Sequence, residues 1–191
     1  MKEYWNKEVV GWSMYDFANT IFSAMFITVY FPLLVTLRGG TAFHVGLIMS
    51  SSMLLAGLLV PFLGALADIT RRKKLFLFIF TVLCCLFTFF TGFFSFKLML
   101  VFGLLANLFY RASLDVYDSL LVNISSPRNI GKISGLGTAA GYAGAVFSAV
   151  IAYGIGFLYG YENIPAVTIV FMIVPFLYFG FSLFTFILGK E

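Results

Sequence analysis

Six long apolar runs divide the sequence, and each is long enough to cross the hydrocarbon core of a membrane as one helix. Most are separated by short polar segments, namely RGGTAFH, DITRRKK, NISSPRNIGK and YGYEN. Only Lys97 divides the third run from the fourth. The pattern predicts an all-α polytopic membrane protein whose six-helix bundle occupies residues 15–189, with helices at about 15–37, 45–67, 75–96, 98–122, 133–158 and 164–188.

Composition excludes a water-soluble globular domain. The chain is 61% hydrophobic and 10% charged, whereas soluble domains carry about 25% charged residues. Ahead of the bundle, residues 1–14 place Tyr4, Trp5, Val9 and Trp12 at helical spacing. This segment is predicted to lie at the membrane surface, either as a short interfacial helix or as a set of aromatic anchors.

Lys and Arg are concentrated on one side of the predicted membrane. Arg38 and Lys97 lie on the opposite side, and Arg111 falls inside the fourth span. The other nine of the 12 basic residues share one side: Lys2, Lys7, Arg71, Arg72, Lys73, Lys74, Arg128, Lys132 and Lys190. By the positive-inside rule, both termini face the cytoplasm. We therefore predict an integral protein of a prokaryotic inner membrane, whose net charge of +4 marks a membrane face rather than a nucleic-acid partner.

Polar side chains form one stripe on the first span and another on the fourth. They recur at helical spacing, so each set shares one helix face. At 1.5 Å per residue, Arg111 lies about 15 Å from the end of its helix, near the bilayer midplane. Ionisable groups at this depth are costly and are functional candidates by default. The stripes comprise Asp16, Asn19, Thr20 and Ser23 on the first span, and Asn107, Arg111, Asp115 and Asp118 on the fourth.

We interpret the two stripes as walls of one aqueous pathway for a solute or a proton. They contain three carboxylates and one guanidinium. Because this leaves an excess of negative charge, at least one Asp is expected to hold a proton during part of a transport cycle. The structural alternative is a static Arg111–Asp115 ion pair that holds the bundle together. His44, at the outer end of the second span, is expected to be a bystander.

The remaining spans have the composition of structural supports. The third and sixth are rich in Phe and suit lipid exposure, whereas the fifth contains Gly137, Gly141 and Gly144. Small residues at this spacing favour close helix packing, so the fifth is predicted to be an interface helix. Cys84 and Cys85 are interpreted as small apolar residues. With one His and no metal-ligand spacing, the sequence indicates neither an enzyme nor a bound metal or cofactor.

Four segments resemble signatures of a known family. The sequence GALADITRRKK, Gly64–Lys74, is similar to the loop between helices 2 and 3 of the major facilitator superfamily. Three further segments resemble the vacuolar-effluxer-like branch, whose fungal member is implicated in exporting amino acids from the vacuole. These segments are Trp12–Thr20, Tyr117–Leu121 and Ser134–Gly144. The chain departs from the family patterns at Ile69, where a basic residue is usual, at Arg71, where Gly is usual, at Asp118, where Asn is usual, and at Val122, where Pro is usual.

The resemblance implies a fold of two six-helix halves, each a 3+3 inverted repeat, related by an axis along the membrane normal. This chain corresponds to the first half, and its Met start and short polar end are those expected of a complete chain. We therefore expect a half-size transporter that pairs as a homodimer or with a different six-helix partner. The first and fourth helices would line the cavity, the second and fifth would form the interface, and the third and sixth would face lipid.

The resemblance also implies a gate at the cytoplasmic end of the second helix. In the homodimer, Asp68 would bind the amino end of the partner's fifth helix, at Ser134 and Gly135, where the helix dipole attracts a carboxylate. The residues assigned to gating and interface positions are Gly64, Asp68, Arg72, Lys73, Ser134, Gly137, Gly141 and Gly144.

The predicted function is secondary active transport of small organic solutes by alternating access, with amino acids as candidate substrates. Transport would be coupled to protons or proceed as uniport. Two alternatives come from other classes of protein. One is a non-transporting or hetero-oligomeric membrane subunit, and the other is a channel, whose flux would not saturate.

Overall fold

The computed structural model describes residues 6–189, and every regular element within them is a helix. The predicted all-α fold with six spanning helices is confirmed. Lys2, Tyr4, Trp5 and Lys190, which entered the predictions above, lie outside the described residues. The helices are α1 (Lys7–Leu37), α2 (Ala42–Thr70), α3 (Lys73–Thr91), α4 (Phe96–Ile124), α5 (Ile130–Tyr159) and α6 (Ile164–Leu188).

The largest differences from the limits of the apolar runs are at the start of α1 and at the break between α3 and α4. Helix α1 already begins at Lys7, because the Asn6 side chain caps it by accepting a hydrogen bond from a backbone N–H in its first turn. Val9 and Trp12 are buried in the bundle, so residues 7–14 continue directly into the span. The break between α3 and α4 precedes Lys97, because Ser95 is the N-cap of α4.

Helix α1 changes its helical type at Ser23, the last residue of its polar stripe. It is α-helical over Lys7–Phe22, π-helical over Ser23–Tyr30 and α-helical again over Phe31–Leu37. Pro32 opens the last segment and lacks a backbone donor, which favours a local departure from α geometry. π-Helical turns are frequent at functional sites. The π-helical segment is therefore a further reason to regard the polar stripe of α1 as a candidate functional site.

The two three-helix repeats interlock. Helix α1 packs mainly between α5 and α6, helix α4 packs mainly between α2 and α3, and α3 meets α6. Each repeat therefore contributes its first helix to the other repeat. Helices α1 and α4 meet through an aromatic stack, in which the Tyr117 ring lies 4.6 Å from that of Trp12 and 5.0 Å from that of Tyr15. This contact brings the two striped helices together.

Helices α2 and α5 are the least covered of the six. Only 11% of the apolar window of α2 and 22% of that of α5 are buried, compared with 50% for α4. Their exposed faces carry large apolar side chains, including Leu58 and Phe62 on α2 and Val146 and Val150 on α5. In a membrane these faces require lipid or another protein as cover, so they are the surfaces open to a second unit.

Basic side chains near the ends of the spans cap the carboxyl ends of other helices. Arg38 donates hydrogen bonds to the carbonyl oxygens of Gly92 and Phe94, both at 2.6 Å, just after α3. Lys74 donates to the carbonyl of Gly189, just after α6, at 2.7 Å. Cations at these ends interact favourably with the helix dipole. Two of the basic residues that set the predicted orientation therefore also connect helices.

The turn between α2 and α3 contains a non-glycine residue in the left-handed conformation. Arg71 has φ 53° and ψ 32°, and no other non-glycine residue of the described chain has a positive φ. Its backbone N–H bonds to the Asp68 carbonyl at 3.2 Å, which closes α2. A Cβ in this conformation costs about 1 kcal/mol, which accounts for the Gly that is usual here in the family signature.

We expect Arg71→Gly to raise the free energy of unfolding by about 1 kcal/mol, because Gly adopts this conformation without strain. The midpoint of thermal unfolding should rise by about 2–4 °C for a chain of this size. Circular dichroism in detergent micelles would measure it. The matched control is Arg72→Gly, since Arg72 has φ −122° and gains no such relief. A midpoint lowered by Arg71→Gly would refute the strain argument.

Candidate functional site

Three carboxylates of the spanning helices α1 and α4 lie near one another. Asp115 and Asp118 are exposed and Asp16 is half-buried. Asp118 lies within electrostatic range of both of the others. We call Asp16, Asp115 and Asp118 the polar face. Carboxylates exposed within a membrane span need water or a cationic partner, so this side of the bundle is poorly suited to contact with acyl chains.

The stripe of α1 forms a local chain of hydrogen bonds that orients Asp16. The Asn19 amide donates to Asp16 Oδ1 at 3.2 Å, and the Thr20 hydroxyl donates to Asn19 Oδ1 at 3.4 Å. The Ser23 hydroxyl donates to the Thr20 carbonyl at 3.2 Å. Asn19 is buried, whereas the other three residues are half-buried. One Asp16 oxygen is therefore held, and the other remains available at the edge of the polar face.

Glycines on the two flanking helices leave room for the polar groups. A Cβ at Gly137 would lie 3.3 Å from Asp16 Oδ2, and one at Gly141 would lie 3.1 Å from Thr20 Oγ1. A Cβ at Gly64, on α2, would lie 2.9 Å from Asp115 Oδ2. Each stripe is therefore flanked by a helix with glycine at the point of contact. Helix α5 flanks the stripe of α1, and α2 flanks the stripe of α4.

The small residues of α5 pack within this chain. A Cβ at Gly137 would meet the Trp12 ring at 2.4 Å, and one at Gly144 would meet the Phe17 carbonyl oxygen at 2.5 Å. The close approach predicted for this helix is therefore made with α1 of the same molecule. The face of α5 that remains open carries large side chains instead, among them Val146 and Val150.

Arg111 has no carboxylate partner among residues 6–189. The one ion pair within this range joins Lys73 Nζ to Asp68 Oδ1 at 2.7 Å. The Arg111 Nε atom is buried without a hydrogen-bond partner, and its guanidinium carbon lies 5.8 Å from the centroid of the Tyr110 ring. The static Arg111–Asp115 pair is absent, so Arg111 is available to an anionic group from outside the described chain.

Asn107 is separated from the rest of its stripe. It is 1% exposed and donates to Ser52 Oγ on α2 at 2.5 Å. Its own Oδ1 atom has no partner within the described chain. Asn107 therefore connects α4 to α2 instead of lining the polar face.

A buried network of hydroxyl groups connects four helices, and the sequence analysis did not identify it. The Tyr15 hydroxyl lies 2.7 Å from Thr81 Oγ1 on α3 and 2.8 Å from the Tyr178 hydroxyl on α6. Tyr178 in turn lies 3.1 Å from Ser113 Oγ on α4. All four residues have no exposed surface. Because Tyr15 precedes Asp16, the network fixes the part of α1 that contributes Asp16 to the polar face.

We expect Tyr178→Phe to lower the free energy of unfolding by about 1 kcal/mol, because it removes two buried hydrogen bonds while keeping the ring. Tyr15 retains Thr81, and Ser113 retains the Tyr110 carbonyl at 2.7 Å, which limits the loss. Thermal unfolding in detergent would measure the change. Tyr153→Phe is the control, since Tyr153 is 65% exposed. Equal midpoints for the two variants would show that the network contributes nothing.

The predicted gating residues Asp68, Arg72, Lys73 and Ser134 lie at one end of the bundle, where α2 ends and α5 begins. Asp68 and Arg72 are exposed, and Lys73 is half-buried beside Asp68. Ser134 is half-buried, and a Cβ on its exposed neighbour Gly135 would meet no atom within 4 Å. The amino end of α5 is therefore open on the side where a second unit could approach.

The single His and the two Cys residues are in positions that fit a structural role. His44 completes a capping box at the start of α2, where its Nδ1 accepts from the Thr41 backbone N–H at 3.2 Å. Cys84 and Cys85 are free thiols, of which Cys84 is buried. Within residues 6–189, no group of three or more His, Cys, Asp or Glu side chains is arranged to hold a metal ion.

Comparisons with known proteins agree with this architecture. The model of the Major Facilitator Superfamily matches residues 17–189. An uncharacterized protein of Aquifex aeolicus (strain VF5) is 31% identical over 150 residues, which cover 74% of this chain and 37% of that protein. The uncharacterized MFS-type transporter YxiO of Bacillus subtilis (strain 168) is 26% identical over 177 residues, covering 86% and 41%. The chain thus spans about two fifths of these relatives. No solved structure matches it.

Proposed function

The chain belongs to the major facilitator superfamily, and we propose that it is one half of a secondary active transporter that moves a small organic solute by alternating access. It is an integral membrane protein of six spanning helices. The observation that supports transport is the polar face, whose carboxylates belong to spanning helices and are exposed at Asp115 and Asp118 and half-buried at Asp16. A static scaffold has no need for such groups, whereas a solute pathway does.

A second six-helix unit would close the pathway. It would cover the polar face, because charged groups are not tolerated against lipid. It would also pack on the exposed apolar surfaces of α2 and α5. We propose a second copy of this chain as that unit. Both copies would insert with their termini in the cytoplasm, as a twofold axis along the membrane normal requires. A different six-helix partner is the alternative, since the curated relatives are longer than this chain.

The polar groups would divide the work of transport. Arg111, with its unpartnered Nε, would bind a carboxylate of the solute. Asp115 and Asp118 would exchange protons with water, and Asp16, held by Asn19, would line the inner part of the pathway. Amino acids are the candidate solutes, because they carry a carboxylate and because the sequence resembles the vacuolar-effluxer-like branch. This branch assignment is part of the proposal.

The function is testable in proteoliposomes that contain the purified chain. A panel of labelled amino acids should include at least one whose uptake saturates with concentration. With proton coupling, dissipating the pH gradient should abolish accumulation above equilibrium. Flux that does not saturate would favour a channel. A chain that stays monomeric in nanodiscs by mass and is inactive alone would favour a non-transporting or hetero-oligomeric subunit.

Asp68 would gate the cytoplasmic side by binding the amino end of the partner's α5. We expect Asp68→Asn to reduce uptake about fivefold, because the amide loses a charge interaction of about 1 kcal/mol with the helix dipole. Asp68→Glu, which keeps the charge, should retain most of the uptake. Initial uptake rates and spectroscopic conformer populations would measure the effect. Unchanged rates and populations in Asp68→Asn would exclude the gate.

A further inference from the structure

We propose that the turn between α2 and α3 contains a phosphate-binding site with Arg71 as its principal ligand. Its occupant would be the phosphodiester headgroup of an anionic membrane lipid. The cavity shares Asp68 and Lys73 with the proposed gate, and both residues lie within electrostatic range of Asp115 on the polar face. The inference itself does not require that the chain transports anything.

The site is a cavity of about 400 Å³ where three helices end. Its walls are Asp68 at the end of α2, Arg71 in the turn, Lys73 at the start of α3 and Asn123 at the end of α4. Because α2 and α3 both cross the membrane, the turn between them lies at the membrane surface. A lipid headgroup can reach this depth without leaving the bilayer.

The charges of the cavity favour a monoanion. Lys73 is paired with Asp68 at 2.7 Å, so these two charges largely cancel. The Arg71 guanidinium makes no ion pair and no hydrogen bond with the described residues. Among the residues that line the cavity it is therefore the charge without a partner. The planar guanidinium matches a phosphate in two parallel hydrogen bonds. A phosphodiester carries the single negative charge that would balance it.

The backbone at Arg71 indicates that its side chain has a role. This position has φ 53°, and a Gly would adopt that conformation without strain. Strained residues are often retained where their side chains function. Its neighbour Arg72 has an unstrained backbone with φ −122° and does not line the cavity. The two arginines have equal charge and lie in the same turn, so comparing their variants separates the effect of the cavity from that of charge alone.

The surroundings favour a lipid over a soluble phosphate compound. The adjacent Arg72 is exposed, and basic residues beside a membrane span attract anionic lipids from the bilayer. Ile69, Leu75 and Val122 are exposed apolar side chains within two residues of the cavity walls, so the acyl chains of a bound lipid would have apolar surface to contact. A soluble phosphate has the same headgroup chemistry and no such anchor.

Native mass spectrometry of the full chain would test the site. The protein in detergent would be titrated with phosphatidylglycerol, with phosphatidylcholine, and separately with inorganic phosphate. We expect Arg71→Gly to weaken phosphatidylglycerol binding about tenfold, as loss of a charge-assisted contact implies. Arg72→Gly, which removes the same charge beside the cavity, should change it less than about twofold. Both variants should fold, because Gly suits the left-handed position and is tolerated at an N-cap.

Three outcomes would count against the proposal. Equal weakening by Arg71→Gly and Arg72→Gly would mean that the turn acts as diffuse charge and that no specific site exists. Equal binding of phosphatidylglycerol and phosphatidylcholine would exclude recognition of net anionic charge. Loss of inorganic phosphate binding in Arg71→Gly, with phosphatidylglycerol binding unchanged, would refute the lipid as occupant.

Discussion

Replacing Asp16 with Asn should reduce solute uptake about 10- to 100-fold, because the pathway loses a charge-assisted hydrogen bond to the solute worth roughly 1.5–3 kcal/mol. Asp16 is the carboxylate of the polar face with the most defined geometry. One of its oxygens accepts from Asn19 at 3.2 Å, and Gly137 leaves space beside the other. The Asn side chain has nearly the same shape, so the change removes charge and leaves the packing intact.

The experiment compares initial uptake rates in proteoliposomes, for the amino acid that the unmodified protein takes up fastest. Glu162→Gln is the matched control, since Glu162 is an exposed carboxylate in the turn between α5 and α6. It should transport normally. Thermal unfolding of both variants should stay close to that of the unmodified chain, which excludes misfolding as the cause. Normal uptake by Asp16→Asn would remove Asp16 from the pathway.

Gly144→Ala should lower the free energy of unfolding by about 1–3 kcal/mol, the usual cost of overpacking a well-packed interior. The added methyl group would lie 2.5 Å from the Phe17 carbonyl oxygen and 3.2 Å from its carbonyl carbon. Both atoms belong to the backbone of α1, so no side-chain rotation can relieve the contact. Helices α1 and α5 must separate, which also disturbs the space around Asp16.

Thermal unfolding in detergent would measure this effect, and a fall of about 2–12 °C is expected. Gly154→Ala is the control on the same helix, because a Cβ there would meet no atom within 4 Å. That variant should be neutral or slightly stabilised, since Ala has the higher helix propensity. A similar midpoint for the two variants would mean that α1 and α5 do not pack as closely as described.

The sequence was sufficient to predict the spans. An apolar run of about 20 residues has few alternatives to a membrane helix, and helical spacing puts Asp115 and Asp118 on one face regardless of the neighbouring helices. The sequence could not predict that Asn107 would instead be buried against Ser52, because that depends on how α2 approaches α4.

Contacts between distant segments were the part that sequence analysis missed. Tyr15 and Tyr178 are 163 residues apart, and nothing in the local pattern pairs one buried Tyr with another. Likewise, the spacing of Gly137 and Gly141 predicts close packing without saying which helix is the neighbour. The structure identifies that neighbour as α1 of the same chain.

The central claim is that the polar face contacts water inside a membrane-spanning pathway. Thiol labelling tests it most directly, in a background where Cys84→Ala and Cys85→Ala remove the native thiols. Asp115→Cys should react with a membrane-impermeant maleimide from at least one side, and Leu86→Cys, on the exposed apolar surface of α3, should not. If Asp115→Cys is as unreactive as Leu86→Cys from both sides, the polar face has no water and the transporter account is wrong.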